Sequence, residues 1–540
     1  MGYGISAPTI ILRALCLLSV ALIFPQPVYA ADDPLMIFHR GNVAEPGTLD
    51  PHQSGATWEN NIIGELLMGL TTDDIAGQPI PGSAESWTVS DDGLTWTFHL
   101  RPGLVWSDGV PVKASDVVFG IRRLLDPETA ARYAFIAYVI KNAAAVNAGD
   151  MPTTSVGVSA VDDLTVEISL EEPTPFLPGL LTHYTMFPLP EHVVRKYGRD
   201  WIKPGTMVSN GPYILESWAA NDHVKVVKNP LFYDADDVAI DEVYFYPTDD
   251  LSAALNRFRA GEIDANIGSL GFPVSQTNWL RENLPGQSYI TPQLANAYVV
   301  FNHRKPPFSD PRIRRAFSLC IDRETLAEKV SRDGRLPAYA FVPPGIANYD
   351  NAAQLDFMNR SMEERREEAV KLLAETGYDA GDPLIFEYLY MASVDGRRSA
   401  VVLSAMLKQC NIVARLIANE PKVHYDMIRN ADFTASLAQW SADYDDPHTF
   451  LYLLDSRAGA YNYGGYHNPE YNRLMDKASA ILDVDDRAEV LAQAEQIALD
   501  DAAVAPLSYP TSKMLVAPYV KGFVPNANMY HRSRWMRIER

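Results

Sequence analysis

Leu94-Thr95-Trp96-Thr97-Phe98-His99-Leu100 places a large apolar side chain at every second position. This two-residue period belongs to a strand buried on one face, because a helix would spread the same four groups around its circumference. Asp92-Gly93 just before it is a hairpin turn signal, and Pro102-Gly103 and Asp108-Gly109 mark turns after it. The period then changes. Ser115 reads as the N-cap of a helix whose Val118, Ile121 and Leu125 share a face, with Leu124 beside them. Alternation returns over residues 164–170, where Leu164, Val166, Ile168 and Leu170 are separated by Thr165, Glu167 and Ser169. Strands and helices following one another in this way predict an α/β fold.

The same change of period continues outward. Strands are expected at residues 35–38, 223–228, 263–267, 298–301 and 384–390, and helices at 62–70, 251–258, 311–320, 362–376, 400–410 and 489–499. Asp310 followed by Pro311 opens one helix, while Gly261 and Gly377 stop two others. The 540 residues allow roughly two to four domains. With no fixed-period repeat and no low-complexity linker, those domains are expected to interweave.

Apolar residues at 47% and charged residues at 21% describe a globular protein with ample core. A net charge of −22 argues against nucleic acid or an anionic membrane as partner, since both need basic patches. The run from Ala14 to Phe24 follows Arg13 and precedes Val28-Tyr29-Ala30, which predicts a secretory signal peptide over residues 1–30. It is too short to span a membrane, and Cys16 follows Leu15 rather than the small residue that lipoprotein processing needs. A free exported protein is expected. Cys320 and Cys410 are then the remaining cysteines, read as two buried thiols because a domain of this size does not need a bridge.

Signatures of catalysis are missing: there is no His-Glu-x-x-His, no Gly-x-Ser-x-Gly and no phosphate loop. No catalytic residue or cofactor is expected. His448 and His467 lack ligand spacing. Asp443 and Asp445 begin like a calcium loop, but His448 stands at its sixth position and Leu454 at its twelfth, so no metal site is expected. The run Gln439-Trp440-Ser441-Ala442-Asp443-Tyr444-Asp445-Asp446-Pro447 fits neither period. Pro447 imposes an extended or turn conformation on Asp446. Asp443 is either the N-cap of a helix beginning near Thr449 or a buried anion awaiting a cation. Aromatics on expected loops, such as Trp58, Trp106, Tyr133, Trp440, Tyr444 and Tyr461, either fill cores or enclose a flexible organic ligand beside that anion.

Ala84-Glu85-Ser86-Trp87, Leu94-Thr95-Trp96-Thr97-Phe98-His99-Leu100-Arg101 and Trp106-Ser107-Asp108-Gly109-Val110-Pro111-Val112 resemble the signature of the exported peptide-binding proteins of ABC transporters. That family includes nickel-, haem- and glutathione-binding members. Leu49-Asp50-Pro51-His52, Asn210-Gly211-Pro212-Tyr213, Lys305-Pro306-Pro307-Phe308 and Trp440-Ser441-Ala442-Asp443-Tyr444 extend the resemblance over residues 35–538, and it is strongest to the oligopeptide-binding branch. It implies a three-lobed periplasmic binding protein (type II, cluster C), with interwoven lobes, a hinge, and ligand buried between two lobes. The implied first lobe comprises residues 31–68, 193–294 and 511–540, the second 69–192 and the third 295–510, with the hinge near Leu294 and Pro510.

In that branch the aspartate of Trp-x-Ala-Asp-Tyr takes the peptide α-ammonium, which implies this role for Asp443 and leaves Asp445 and Asp446 as residues that shape the turn. Backbone groups around Gln439, Ser441 and Thr57 would pair with the peptide backbone. Tyr133, Tyr298, Trp440 and Tyr509 match aromatics or phenols that line the ligand cavity. The chain also departs from the branch: Gly55 replaces a common acidic residue, Pro421 a tryptophan, and Gly396 and Leu437 basic groups that meet the peptide C-terminus. Arg429 holds another basic position and Arg397 and Arg398 lie near the first gap, each either a carboxylate anchor or a solvated surface residue. The expected function is a monomeric periplasmic receptor that binds short peptides and delivers them to an inner-membrane ABC permease. Glutathione, a peptide antibiotic, haem or a nickel chelate are the alternative ligands.

Overall fold

In the computed structural model, which describes residues 1–4, 35–268, 271–350 and 353–540, the strand Thr95–Leu100 sits where its alternation places it. Trp96, Phe98 and Leu100 are buried in a core, and Thr95, Thr97 and His99 are half-buried on the other face. The strand pairs antiparallel with Ala84–Val89 and Thr165–Ser169, and Val158–Asp162 completes a four-stranded sheet. The helix Ala114–Leu125 buries Val117, Ile121 and Leu124 against it. Its start differs from expectation: the Asp116 carboxylate, not the Ser115 hydroxyl, holds the first turn, accepting the Lys113 backbone N–H.

Two larger sheets carry the rest. One has seven strands in the order Ser288–Pro292, Thr511–Val516, Ala265–Asn266, Ile37–Gly41, Glu242–Tyr246, His223–Lys228 and Tyr213–Ala219. The other has six, in the order Leu336–Pro337, Val504–Tyr509, Ala295–Phe301, Ala435–Ser441, Leu384–Met391 and Ile412–Asn419. Each sheet backs its own hydrophobic core, around Phe38, Phe245 and Met514 in the first and Val299, Phe301 and Phe386 in the second. Residues near both chain ends share the first core, so the interweaving is real.

The chain passes between these two sheets twice, at Gln293-Leu294 and at Pro510. The crossings lie side by side, with the Gln293 N–H donating to the Pro510 carbonyl at 2.9 Å. Before and after them the same two stretches pair, Ser288–Pro292 with Thr511–Val516 and Ala295–Phe301 with Val504–Tyr509. Two short adjacent connections can absorb a rotation through dihedral changes at a few residues, which is the geometry of a hinge.

The expected signal peptide, with Cys16, lies outside the described residues apart from residues 1–4. No described helix is long and apolar enough to cross a membrane. The cysteine expectation is overturned: Cys320 and Cys410 form a disulfide, with Cα atoms 6.4 Å apart and a sequence separation of 90. Cys320 ends the helix Pro311–Leu319 and Cys410 follows the helix Val394–Lys408, and both helix ends enter the same core. Chain length tells what a core needs for stability; it does not tell which side chains the fold brings into bonding range.

Candidate ligand-binding site

The strand Ala435–Ser441 pairs along its whole length with Ala295–Phe301, but on its other side only Ala435 and Ser436 pair with Leu384–Met391. Beyond Ser436 those two strands part and leave an open edge. The Ala442 N–H donates to the Leu294 carbonyl at 2.7 Å, so by alternation the backbone groups of Leu437, Gln439 and Ser441 turn toward that edge. His424 Nε2 lies 2.7 Å from the Leu437 carbonyl, and the Tyr425 hydroxyl reaches the Gln439 carbonyl at 3.4 Å. The rest of the edge offers an extended ligand a strand to pair with.

The loop after Ser441 is pinned at three places. Asp446 and Arg487 form a buried bidentate ion pair at 2.5 and 2.9 Å, and the same carboxylate accepts the His448 N–H at 2.8 Å where the short helix His448–Leu451 begins. The capping role that the sequence offered to Asp443 thus falls to Asp446. Tyr444 stacks on Phe176 with ring centroids 4.7 Å apart, and its hydroxyl lies 2.8 Å from His448 Nδ1. Asp445 Oδ1 accepts the Ala347 N–H at 2.8 Å.

Asp443 is held between these anchors. Its backbone N–H donates to Thr449 Oγ1 at 3.3 Å, yet its carboxylate has no hydrogen-bond or ion-pair partner among the described residues. It lines a cavity of about 240 Å³. Burial pushes its carboxyl up to about 6. Tyr133 faces it across the cavity, its phenol raised first by burial and then by the Asp443 charge.

Two further carboxylates line this cavity. Burial pushes Asp445 up to about 7 against the pull of the Ala347 N–H, and burial pushes Asp73 up to about 7 against the influence of Arg532. No lysine or arginine lines the cavity among the described residues. The sequence reading missed both groups: Asp445 reads as a turn residue, and Asp73 as part of the turn after Leu70.

Thr57, Tyr133, Ser441 and Asp443 come together at this cavity. Gln439 lines a second cavity of about 250 Å³, two residues back along the same edge, roughly 7 Å at the rise of a strand. Gly396 and Leu437 line that second cavity too, as do Arg335 and Arg398, which are already paired with Asp333 at 2.6 Å and Asp395 at 2.8 Å. Trp440 sits on the opposite face of its strand, edge-on to Tyr461 at 5.9 Å. Tyr298 is buried edge-on to Phe341, and the Tyr509 hydroxyl donates to the Ala340 carbonyl and accepts the Ala340 N–H. Arg429 is exposed on the helix Pro421–Arg429 and pairs with Asp426 at 2.6 Å. These four side chains line neither cavity. Trp106, one of the loop aromatics, is fully buried and donates its indole N–H to Asp116.

Residues 78–462 match the family model of the bacterial extracellular solute-binding proteins, family 5, middle region. The probable deoxycholate-binding periplasmic protein YgiS of Escherichia coli is 38% identical over 514 residues, covering 93% of this chain and 95% of that protein. The unliganded open form of the periplasmic murein tripeptide binding protein MppA superposes with a TM-score of 0.86 at 33% identity, covering 94% of this chain and 98% of its own. The Haemophilus influenzae OppA complex with RPPGFSPFR superposes with a TM-score of 0.73 at 34% identity, covering 94% and 100%. The likeness is greater to the open form than to the peptide complex.

Proposed function

Because this chain belongs to the bacterial extracellular solute-binding proteins of family 5, we propose that it is the periplasmic receptor of an ABC transporter, binding short peptides in extended form and delivering them to an inner-membrane permease. The observation that carries the reading is the unpaired Asp443 carboxylate beside the open edge of Ala435–Ser441. A peptide supplies what both lack. Its α-ammonium offers a charge-assisted hydrogen bond, and its backbone adds to the strand edge without regard to side-chain identity.

In this reading the lobes are residues 31–68, 193–294 and 511–540; 69–192; and 295–510. Three hydrophobic cores support that division, with Trp106, Val112, Tyr184, Phe187 and Leu189 of the second range packing into the core of the first. Ligand that prefers the closed form shifts the open–closed balance, and the permease reads the closed form. The receptor acts as a monomer and does no chemistry. Arg398, in the second cavity, is the arginine of the expected set best placed for the far end of the ligand.

The identity to a probable deoxycholate-binding protein favours one rival ligand, a bile acid. Three carboxylates and no lining cation oppose a carboxylate ligand in the first cavity. Calorimetric titration with alanine tripeptide and with deoxycholate separates the two. Saturable tripeptide binding is expected; deoxycholate binding without peptide binding would overturn the reading.

The cavity also fixes a pH dependence. An ammonium ligand binds the ionised form of Asp443, whose raised value means that the free protein carries a proton there below about 6. That proton must leave on binding, so affinity falls as pH drops through this value, by up to about tenfold per pH unit, and levels off above it. Titrations across this range check it; an affinity that does not fall in acid would contradict the role of the carboxylate.

A further inference from the structure

One ammonium needs one carboxylate, and this cavity presents three from two distant parts of the chain. Asp73 ends the short strand Thr71–Asp73, while Asp443 and Asp445 belong to the loop after Ser441. Asp73 is only 4% exposed, yet no arginine or lysine forms an ion pair with it among the described residues. The nearby Thr182 hydroxyl donates to the Gly179 carbonyl at 3.0 Å, and the cation Asp73 feels, Arg532, donates instead to Asn60 at 2.8 and 3.2 Å. Asp445 commits one oxygen to the Ala347 N–H and leaves the other without a partner among the described residues. Asp73 feels Asp445 as a like charge, so the two face one another closely enough to repel.

Burying carboxylates in this way is costly unless a partner arrives. A single metal ion is not that partner, since no three acidic, histidine or cysteine side chains among the described residues converge as ligands. The charges are spread along the cavity and suit separate organic cations. The chain's net charge of −22 would draw such a ligand in.

Resting on the reading of this cavity as the seat of a peptide N-terminus, we propose that it is built for a ligand end with two positive charges: the α-ammonium on Asp443, and the cationic side chain of a first-residue lysine, ornithine or arginine between Asp73 and Asp445. The first residue is then selected by charge, while the backbone contacts further along leave the later residues free. Asp73 and Asp445 approach from opposite sides of the cleft, so a cation between them also removes a repulsion that would oppose closure.

The test is calorimetric titration at about pH 8, where the carboxylates are ionised, with Lys-Ala-Ala and with norleucine-Ala-Ala, which keeps the shape without the charge. Lys-Ala-Ala should bind at least about tenfold more tightly. In Asp73→Asn, and separately in Asp445→Asn, whose amide oxygen can still accept the Ala347 N–H, that preference should fall to within about threefold. If the norleucine peptide binds and the lysine peptide binds no better, this inference fails while the peptide reading stands. If neither peptide binds, the peptide reading itself fails. Cadaverine binding as tightly as Lys-Ala-Ala would show a diamine site and overturn the assignment to a peptide. Should either variant fail to fold, the ratio of the two peptides on the unaltered protein decides.

Discussion

Asp443→Asn is expected to weaken short peptides with a free N-terminus by at least tenfold, about 1.4 kcal/mol. The substitution keeps the size of the side chain and the backbone contact to Thr449, and removes only the charge. Its effect is large because the carboxylate has no other partner and lies where burial already opposes its ionisation. An ammonium brought into a closed cleft and left without its anion costs ~3–5 kcal/mol, which sets the upper end of the range. Calorimetry on the two proteins with one tripeptide measures it. Equal affinities would remove Asp443 from the site.

Arg487→Met should destabilise the protein by ~3–5 kcal/mol, because it strands the buried Asp446 carboxylate. The side chains of the pair are 4% and 11% exposed, so water cannot take the place of the guanidinium. The pair also fixes the loop on which Asp443 sits, and Arg487 lies over Phe176, the ring on which Tyr444 stacks. Affinity for peptide should therefore fall together with stability. Denaturant unfolding and calorimetry check the two effects. The double variant Asp446→Asn with Arg487→Met should recover part of the lost stability, since it leaves no charge unpaired. A single variant as stable as the unaltered protein would show that the pair contributes little.

The parts of this fold that the sequence makes legible are the local ones. Thr95–Leu100 and the Asp310–Pro311 helix start appear where period and capping chemistry place them, because both depend on neighbours within a few residues. The Cys320–Cys410 bridge and the meeting of Asp73 with Asp445 are pairings across long stretches of chain, which no local pattern encodes. Asp443 could be assigned only through its resemblance to a motif; the local pattern left it either a helix cap, the part that Asp446 plays, or a buried anion awaiting a cation. Trp440 illustrates a signal that was available. Gln439 and Ser441 face the cavities, so strand alternation puts the tryptophan between them on the other side.

Asp445 and Asp446 differ for a similar reason. Adjacent acidic residues before a proline look alike as turn formers, yet one meets a distant arginine and the other a cavity. What separates them is Arg487, whose position follows from the packing of the helix Val484–Asp500 and not from anything near the loop.

The central claim is that this cavity holds the charged N-terminus of a short peptide. A matched pair of tripeptides, one with a free α-amine and one N-acetylated, tests it by calorimetry on the unaltered protein. The free peptide should bind at least ~10-fold more tightly, because acetylation removes the cation that Asp443 lacks. Equal affinity for the free and the acetylated peptide would contradict the account.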